Sequence, residues 1–395
     1  MKVCFLGTSR YNQPLDATTE KKFRAMKSLG DLFVIGFSSN LRWQKFTEHA
    51  HFYVLPQLPL PILRYLELFL LGQLLIFWLI VRQGIQVVVA QSPYEGFIAA
   101  LPIKLAKWCG HKAALVVEVH GDFAASVFMY RRIRFSSLYG FVMKHVADYS
   151  IKQADLLRAI SQSTSEQLRR WAPTKAIVQF PAWTDFETFL RSGANRGNEF
   201  SNAILFVGVL VPLKGIHHLI NAFSLIAGPF PSVPLFIVGK DENKAYAEGL
   251  KIQVAKLALN GRVHFIGPLA QSDLAERMSK ASVVVLPSLS EGLGRVIIEA
   301  MATGTPAIGS RVGGIPELIE DEFNGFLVPP GDERALAAKL RWVLEHRDEA
   351  RAMGERARAF AAQRFSTAQY LQGYRQIFEM TTRTSEQENH APVTL

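Results

Sequence analysis

Cysteine is nearly missing from these 395 residues: only Cys4 and Cys109 occur, far apart and in no metal or redox spacing. That excludes a disulfide scaffold and suits a reducing, cytoplasmic setting. A Gly-x-Gly-x-x-Gly turn is absent after the first apolar run, which reads FLGTSRYNQ, so a dinucleotide oxidoreductase is disfavoured. No Asp-x-Asp pair follows a strand and no His/Cys cluster stands in the sequence, so no metal is expected. Repeats of solenoid period are absent too. Met1-Lys2 leads directly into Val3–Leu6 and then Gly7, which reads as a first strand rather than a signal peptide. The uncharged stretch Leu68–Val81, LFLLGQLLIFWLIV, falls short of the ~20 residues of a spanning helix. We read it as a buried helix of the N-terminal domain. A helix lying in a bilayer interface, helped by Arg64, Trp78 and Arg82, is the alternative.

What is present is a folded composition, 49% hydrophobic and 20% charged, in a chain long enough for two domains. Net charge is +10, and all of it lies in the first half: residues 1–200 hold 24 Lys and Arg against 14 Asp and Glu, whereas residues 201–395 hold 20 of each. Such asymmetry points one domain towards an anionic surface or an acidic substrate, the plainer reading being a solvated basic face.

In the second half, apolar runs at Ala203–Val207, Leu235–Val238, Val263–Ile266, Val283–Leu286, Pro306–Ile308 and Gly325–Val328 alternate with amphipathic stretches such as Ile216–Ile226, Ser272–Lys280 and Glu333–Glu345. This rhythm predicts βαβ units on a parallel sheet. The first half repeats it less regularly, with strands expected at Val3–Leu6, Leu32–Phe37, Val87–Ala90, Ala113–Val119 and Leu156–Ile160. The polar, glycine-rich stretch Arg191–Asn198 reads as a linker. The expected fold is α/β: two doubly wound, Rossmann-like parallel-sheet domains facing a cleft at the carboxyl ends of their strands. We place the N-terminal domain at residues 1–195 and the C-terminal domain at 200–365, followed by a helix over 366–380 and a polar tail over 381–395.

The densest motif is SEGLGRVIIEAMATGTPAIGSRVGGIPELI, Ser290–Ile319. A strand over Val283–Leu286, a loop over Pro287–Gly294 and a helix over Arg295–Thr303, ended by Gly304, put free backbone N–H groups and a positive dipole end together. Glu291 lies at the helix mouth and Glu299 about one turn inside. Carboxylates there grip phosphate poorly, but each accepts hydrogen bonds from vicinal hydroxyls. Hydroxyl-rich rings combined with phosphates describe a nucleotide-sugar. Taken singly, either glutamate is more often a partner of the helix dipole than a ligand contact.

This stretch resembles the signature of glycosyltransferase family 4, in the two-domain GT-B group. Further similarity lies in FVGVLVPLKG (206–215), LFIVGK (235–240), VHFIGPL (263–269), VVVLPS (283–288), NGFLVPPGD (324–332), VEVHGD (117–122) and ADLLRAISQST (154–164). The resemblance implies that Glu299 binds the donor ribose, and that Glu291 holds the transferred sugar with Gly292, Leu293 and Gly294 assisting. It implies that Lys214 neutralises the diphosphate, that His120 stands beside the donor sugar, and that Gly208, Gly239 and Phe265 line the donor site. His120, Lys214 and Glu291 are the expected catalytic residues, while His217 and His218 read as packing and surface residues. A final helix after Phe365-Ser366 is implied to cross back onto the N-terminal domain.

Departures are plain. The family's usual arginine after the glycine is here Val209, and Arg10, in the first loop, is the candidate replacement on phosphate. The first loop lacks the usual glycine pair, and FPAWTDFETF stands at 180–189 where a Pro-Asn-Gly turn is common. The expected chemistry is retaining, metal-independent hexosyl transfer from a UDP- or GDP-linked sugar, without cofactor. For the acceptor, the basic first half and the arginine–aromatic stretch Phe128–Phe135 favour a lipid-linked glycan or glycolipid in polysaccharide or cell-envelope biosynthesis, with an anionic membrane surface as a further partner, and disfavour nucleic acid. That places the enzyme in the cytoplasm, peripheral on the inner face of the plasma membrane. The alternatives are a nucleotide-sugar epimerase or hydrolase, which would leave acceptor lipids unglycosylated, and a non-catalytic nucleotide-sugar-binding protein.

Overall fold

The computed structural model describes residues 1–121, 136–194 and 202–390; Asp122, the Phe128–Phe135 stretch and the second half of the 191–198 linker lie outside them. The chain divides into two compact units, Met1–Trp183 with Thr367–Leu395, and Thr184–Ser366.

The first unit is built on eight strands: β1 (Lys2–Arg10), β2 (Asp31–Phe37), β3 (Gln44–Thr47), β4 (His51–Leu55), β5 (Val87–Ala90), β6 (Ala114–Val119), β7 (Leu156–Ala159) and β8 (Ile177–Gln179). They lie in the order β3-β4-β2-β1-β5-β6-β7-β8. All neighbours pair parallel except β3 and β4, an antiparallel edge. β3, β4 and β8 were not anticipated from the sequence. On the edge pair, Phe46 and Phe52 stack across the strands at 4.7 Å, a cross-strand aromatic pair that stabilises so short a hairpin. β1 does not stop at Gly7 but runs on irregularly to Arg10.

Its helices are α1 (Ala17–Met26), α2 (Leu63–Gln83), α3 (Pro93–Trp108), α4 (Ser136–Gln153) and α5 (Gln162–Trp171). Sequence sets their starts. Asp16 caps α1 by accepting from the amides of Thr18 and Thr19, and Ser92 caps α3 with Pro93 at its first position. α2 contains two wider, π-type turns at Leu68–Gly72 and Leu79–Gln83. Only one face of α2 is buried, so the expectation of a buried helix over Leu68–Val81 is corrected: Leu70, Leu71, Leu74 and Trp78 are exposed.

The second unit carries β9 (Ile204–Val207), β10 (Leu235–Val238), β11 (Val263–Ile266), β12 (Val283–Leu286), β13 (Ala307–Ser310) and β14 (Phe326–Val328) in the order β11-β10-β9-β12-β13-β14, all parallel. Counted within the unit this is 3-2-1-4-5-6, the dinucleotide-binding strand order. Its helices are α6 (Phe186–Ala194), α7 (Ile216–Ile226), α8 (Lys244–Lys256), α9 (Gln271–Lys280), α10 (Arg295–Ala302), α11 (Ile315–Leu318), α12 (Glu333–Glu345) and α13 (Arg347–Arg364). The division between units falls before the expected 191–198 linker, because α6 packs on α9 and α10 and so joins the second unit. The last helix, α14 (Thr367–His390), belongs to the first unit, where Tyr370, Tyr374, Ile377 and Phe378 enter the core between β1, β6 and β8.

Candidate functional site

In the second unit the strand order reverses between β9 and β12, so the loops after these strands diverge and leave room at their carboxyl ends. Lys214 follows β9 on a short 3-10 turn, and Glu291 follows β12. Although 77 residues apart, they meet: Lys214 Nζ donates to Glu291 Oε2 at 2.6 Å, and Ser288 Oγ donates to the same oxygen at 3.2 Å. Both charged side chains are mostly covered.

Two glycines allow this loop its course. At Gly215, with φ +63°, an added Cβ would lie 2.0 Å from the Pro287 carbonyl oxygen. At Gly313, with φ +54°, it would lie 1.7 Å from the carbonyl oxygen of Glu291. The second glycine pair of the motif therefore serves as a backbone seat for the Glu291 loop, with no room for any side chain.

Beyond Glu291 the chain enters α10 through Gly294. Among the described residues the amides of Gly292, Leu293 and Gly294 have no hydrogen-bond partner, which leaves them with the first amides of α10 as oriented donors. Gly208 and Gly239 differ: their amides already donate to Val238 and Ile266 carbonyls at 3.0 Å. Any contact they make with a ligand is one of close approach, not of amide donation. Phe265 is half-buried on the edge strand β11.

Glu299, on α10, is 5% exposed. Burial pushes its carboxyl up to about 7, and Arg295, one turn earlier with Nε 3.2 Å from Glu299 Oε1, opposes the shift. His217 and His218 are held by Tyr246 and Glu333 and leave the site to its other residues.

The first unit places His120 just past the end of β6, its side chain 41% exposed. Two residues back, on the same side of the strand, Glu118 Oε2 meets His120 Nε2 at 3.0 Å. The other oxygen of Glu118 accepts from Arg158 at 2.7 Å and from the Tyr374 hydroxyl at 2.6 Å. Arg158, on β7, also donates to the Pro181 carbonyl at 2.8 Å and lies over the Phe180 ring at 3.9 Å. Burial works against a charged Glu118, but Arg158, His120 and Tyr374 outweigh it and hold the carboxyl well below the usual carboxylate range. An ionised Glu118 only accepts, so His120 must donate from Nε2 and presents Nδ1 as its other polar atom. Arg10 ends β1, exposed.

Sequence reading named Lys214, Glu291, Glu299 and His120 but missed Ser288, Glu118, Arg158 and Tyr374. A signal was present: Glu118 and Arg158 each interrupt an otherwise apolar strand, VVEV and LLRA, and a charge there requires a partner.

Residues 192–360 match the family described as glycosyl transferases group 1. This segment belongs to the group 1 glycosyl transferases. The wider chain is similar to an uncharacterized glycosyltransferase of Methanocaldococcus jannaschii, 29% identical over 231 residues, 58% of this chain and 61% of that protein. It is also similar to the N-acetyl-alpha-D-glucosaminyl L-malate synthase of Bacillus anthracis, 27% identical over 243 residues, 60% of this chain and 62% of that protein. The chain thus spans about six-tenths of the length of these two relatives. Among solved structures, HepE of Anabaena in complex with UDP-glucose superimposes with a TM-score of 0.71, covering 98% of this chain and 100% of that one at 23% identity. The fold of this chain is GT-B, two parallel-sheet α/β domains.

Proposed function

We propose that the protein is a retaining glycosyltransferase that moves a hexose from a nucleotide-sugar to a hydroxyl acceptor. The observation that carries this reading is the meeting of Lys214, Glu291 and the 292–294 amides at the strand-order reversal of the second unit. One cation, one hydroxyl acceptor and several aligned N–H groups in that small space suit a sugar diphosphate.

In the roles we assign, Lys214 and the loop amides take the diphosphate and stabilise charge on the departing nucleotide. Arg10 is a second candidate cation for the phosphates. Glu291 accepts from the sugar hydroxyls and Glu299 from the ribose. Lys214 and Glu291 satisfy each other, so donor binding would exchange one strong partner for another. His120, its tautomer fixed by Glu118, contacts the transferred sugar. The glycosidic C–O bond to the diphosphate breaks on the same face at which the acceptor oxygen bonds to the anomeric carbon. The acceptor's proton passes to the leaving phosphate oxygen, so neither a protein nucleophile nor a resident metal is needed. The acceptor we favour is a lipid-linked glycan or glycolipid of polysaccharide or cell-envelope biosynthesis, met at the cytoplasmic face of a membrane. The basic excess of residues 1–200 supports an anionic environment for it.

The test is thermal stabilisation against UDP-, GDP-, ADP- and TDP-sugars, with NAD as control, in wild type and Glu299→Ala. A ligand at about 100 times its dissociation constant adds roughly 2.7 kcal/mol. Stabilisation by one nucleotide class, lost in Glu299→Ala, supports the reading and selects the donor for an acceptor screen. Binding with hydrolysis or epimerisation and no transfer to membrane lipids would replace it by the epimerase or hydrolase reading. No shift with any nucleotide-sugar would refute it.

A further inference from the structure

Helix α2 buries one face and leaves an apolar face in solvent. Leu68, Ile76, Leu79 and Ile80 belong to the core under the first sheet, so the helix lies along its unit. A helix in that setting ordinarily presents polar side chains outward. Here the outer row is Leu66, Leu70, Leu74 and Trp78, spaced four apart; Leu74 is 68% exposed. No charged residue stands between Glu67 and Arg82.

The apolar surface continues beyond α2. Phe69 stacks on Phe97 of α3 at 6.2 Å, and Phe97 meets Tyr149 of α4 edge-on at 5.6 Å. Along α3, Leu101, Leu105 and Trp108 follow at helical spacing and are exposed, Trp108 at 91%. α4 adds exposed Phe141 and Val142. Single exposed apolar residues are ordinary, but a connected row over three helices marks an interaction surface.

The charge around it has one prevailing sign. Among the described residues, 61–121 and 136–153 carry seven Lys and Arg against four Asp and Glu, and two of the four, Glu95 and Glu118, are buried. Arg82, Lys104, Lys107, Lys144 and Lys152 are exposed, and Lys104 Nζ donates to the Tyr149 hydroxyl at 3.2 Å where the aromatic row ends. Leucines on one face, Trp and Tyr among them and cations alongside form the composition of a helix lying in the headgroup layer of an anionic bilayer.

We propose that the α2–α3–α4 face of the first unit docks on an anionic lipid bilayer, with α2 in the plane of the interface. Its purpose rests on the lipid-acceptor reading above, while the docking itself needs no sugar donor. A soluble enzyme would otherwise meet a lipid-linked acceptor only by collision. Docking confines both to one surface and presents the headgroup side of the lipid to the unit.

Flotation of the full chain with vesicles tests this, using phosphatidylcholine alone and phosphatidylcholine with about a third phosphatidylglycerol. The comparison variant is Leu70→Glu with Leu74→Glu; both positions are exposed, so its melting temperature and nucleotide-induced stabilisation should match wild type. Expected is flotation of wild type with the anionic vesicles, weaker with neutral ones and at high salt, and a fall in partitioning of at least about tenfold in the variant. Wild type that stays unbound to anionic vesicles, or a variant that binds them equally, overturns the proposal. Dimerisation of wild type in light scattering, lost in the variant and without vesicle binding, overturns it in favour of a second copy on this face. Vesicle binding that survives a failed nucleotide-sugar panel sinks the donor reading alone.

Discussion

Replacing Glu118 by glutamine removes one charge from the centre of the first unit and almost no volume. Glu118 is 2% and Arg158 1% exposed, so the guanidinium left behind cannot reach water. It keeps the Pro181 carbonyl and the Phe180 ring but loses its only carboxylate among the described residues. Breaking a buried ion pair from one side costs roughly 3–5 kcal/mol, because the remaining charge stays desolvated. In a unit of about this size each kcal/mol moves the midpoint roughly 2–4 °C, so a drop of about 10 °C is expected. Tyr374→Phe removes the hydroxyl that donates to Glu118 and accepts from Arg158 at 3.2 Å but leaves the two ions paired, so it should cost less, about 1.5–3 kcal/mol. The sharper assay is a pair of variants followed by differential scanning calorimetry. Glu118→Leu with Arg158→Met removes both charges and should be less destabilised than Glu118→Leu alone, since no orphaned ion is left. A Glu118→Gln protein melting within about 3 °C of wild type, or a double variant worse than the single one, would refute the assignment of this pair as a mutually dependent buried charge. The same substitution frees His120 to adopt either tautomer, and should lower kcat more than it raises KM.

Three further expectations follow from the second unit. Glu299 titrates near 7 against about 4.3 in an unfolded chain, so its contribution to stability is fully present below about pH 4 and is lost as the pH rises through 7. Ribose hydroxyls donate best to the ionised form, so nucleotide affinity should rise between about pH 6 and 8 in wild type and stay flat in Glu299→Gln, as read by calorimetric titration. Lys214→Ala should lower kcat about 10²-fold or more, and a milder loss in Arg10→Ala would show a second phosphate contact; equal wild-type turnover in both would remove the cations from the mechanism. Gly313→Ala forces a Cβ onto the Glu291 carbonyl at a left-handed backbone position, so a cost of about 1–3 kcal/mol and lost donor affinity are expected. Unchanged donor affinity would dissociate Gly313 from the site.

The second unit was legible because four of its six strands are fully buried on a parallel sheet, and such strands read as bare apolar runs such as VVVL at 283–286. β3 and β4, reading QKFT and HFYVL, were not, since a short edge hairpin needs neither alternation nor length when an aromatic pair joins it. At the site, glycine spacing located the Glu291 loop, but its contact with Lys214 depends on strand order, which no local window contains. Arg158 and Tyr374 were missed for the same reason: their meeting with Glu118 joins positions 40 and 256 residues away in the chain. Composition also could not say which side of α2 faces the core, because leucines stand on both faces.

The return of α14 to the first unit makes the second unit an insertion in the first. During synthesis, residues 184–366 are complete before Tyr374 exists, so the later unit can close as soon as it emerges. The earlier unit must wait with Arg158 and Glu118 lacking their tyrosine, and with the aromatic pocket of Phe5 and Phe180 uncovered, until the last helix arrives. The usual order, in which the N-terminal domain matures first, is reversed by where one helix ends. A released chain ending at residue 366 would carry a complete second unit and an unfinished first one, a state that limited proteolysis can reveal.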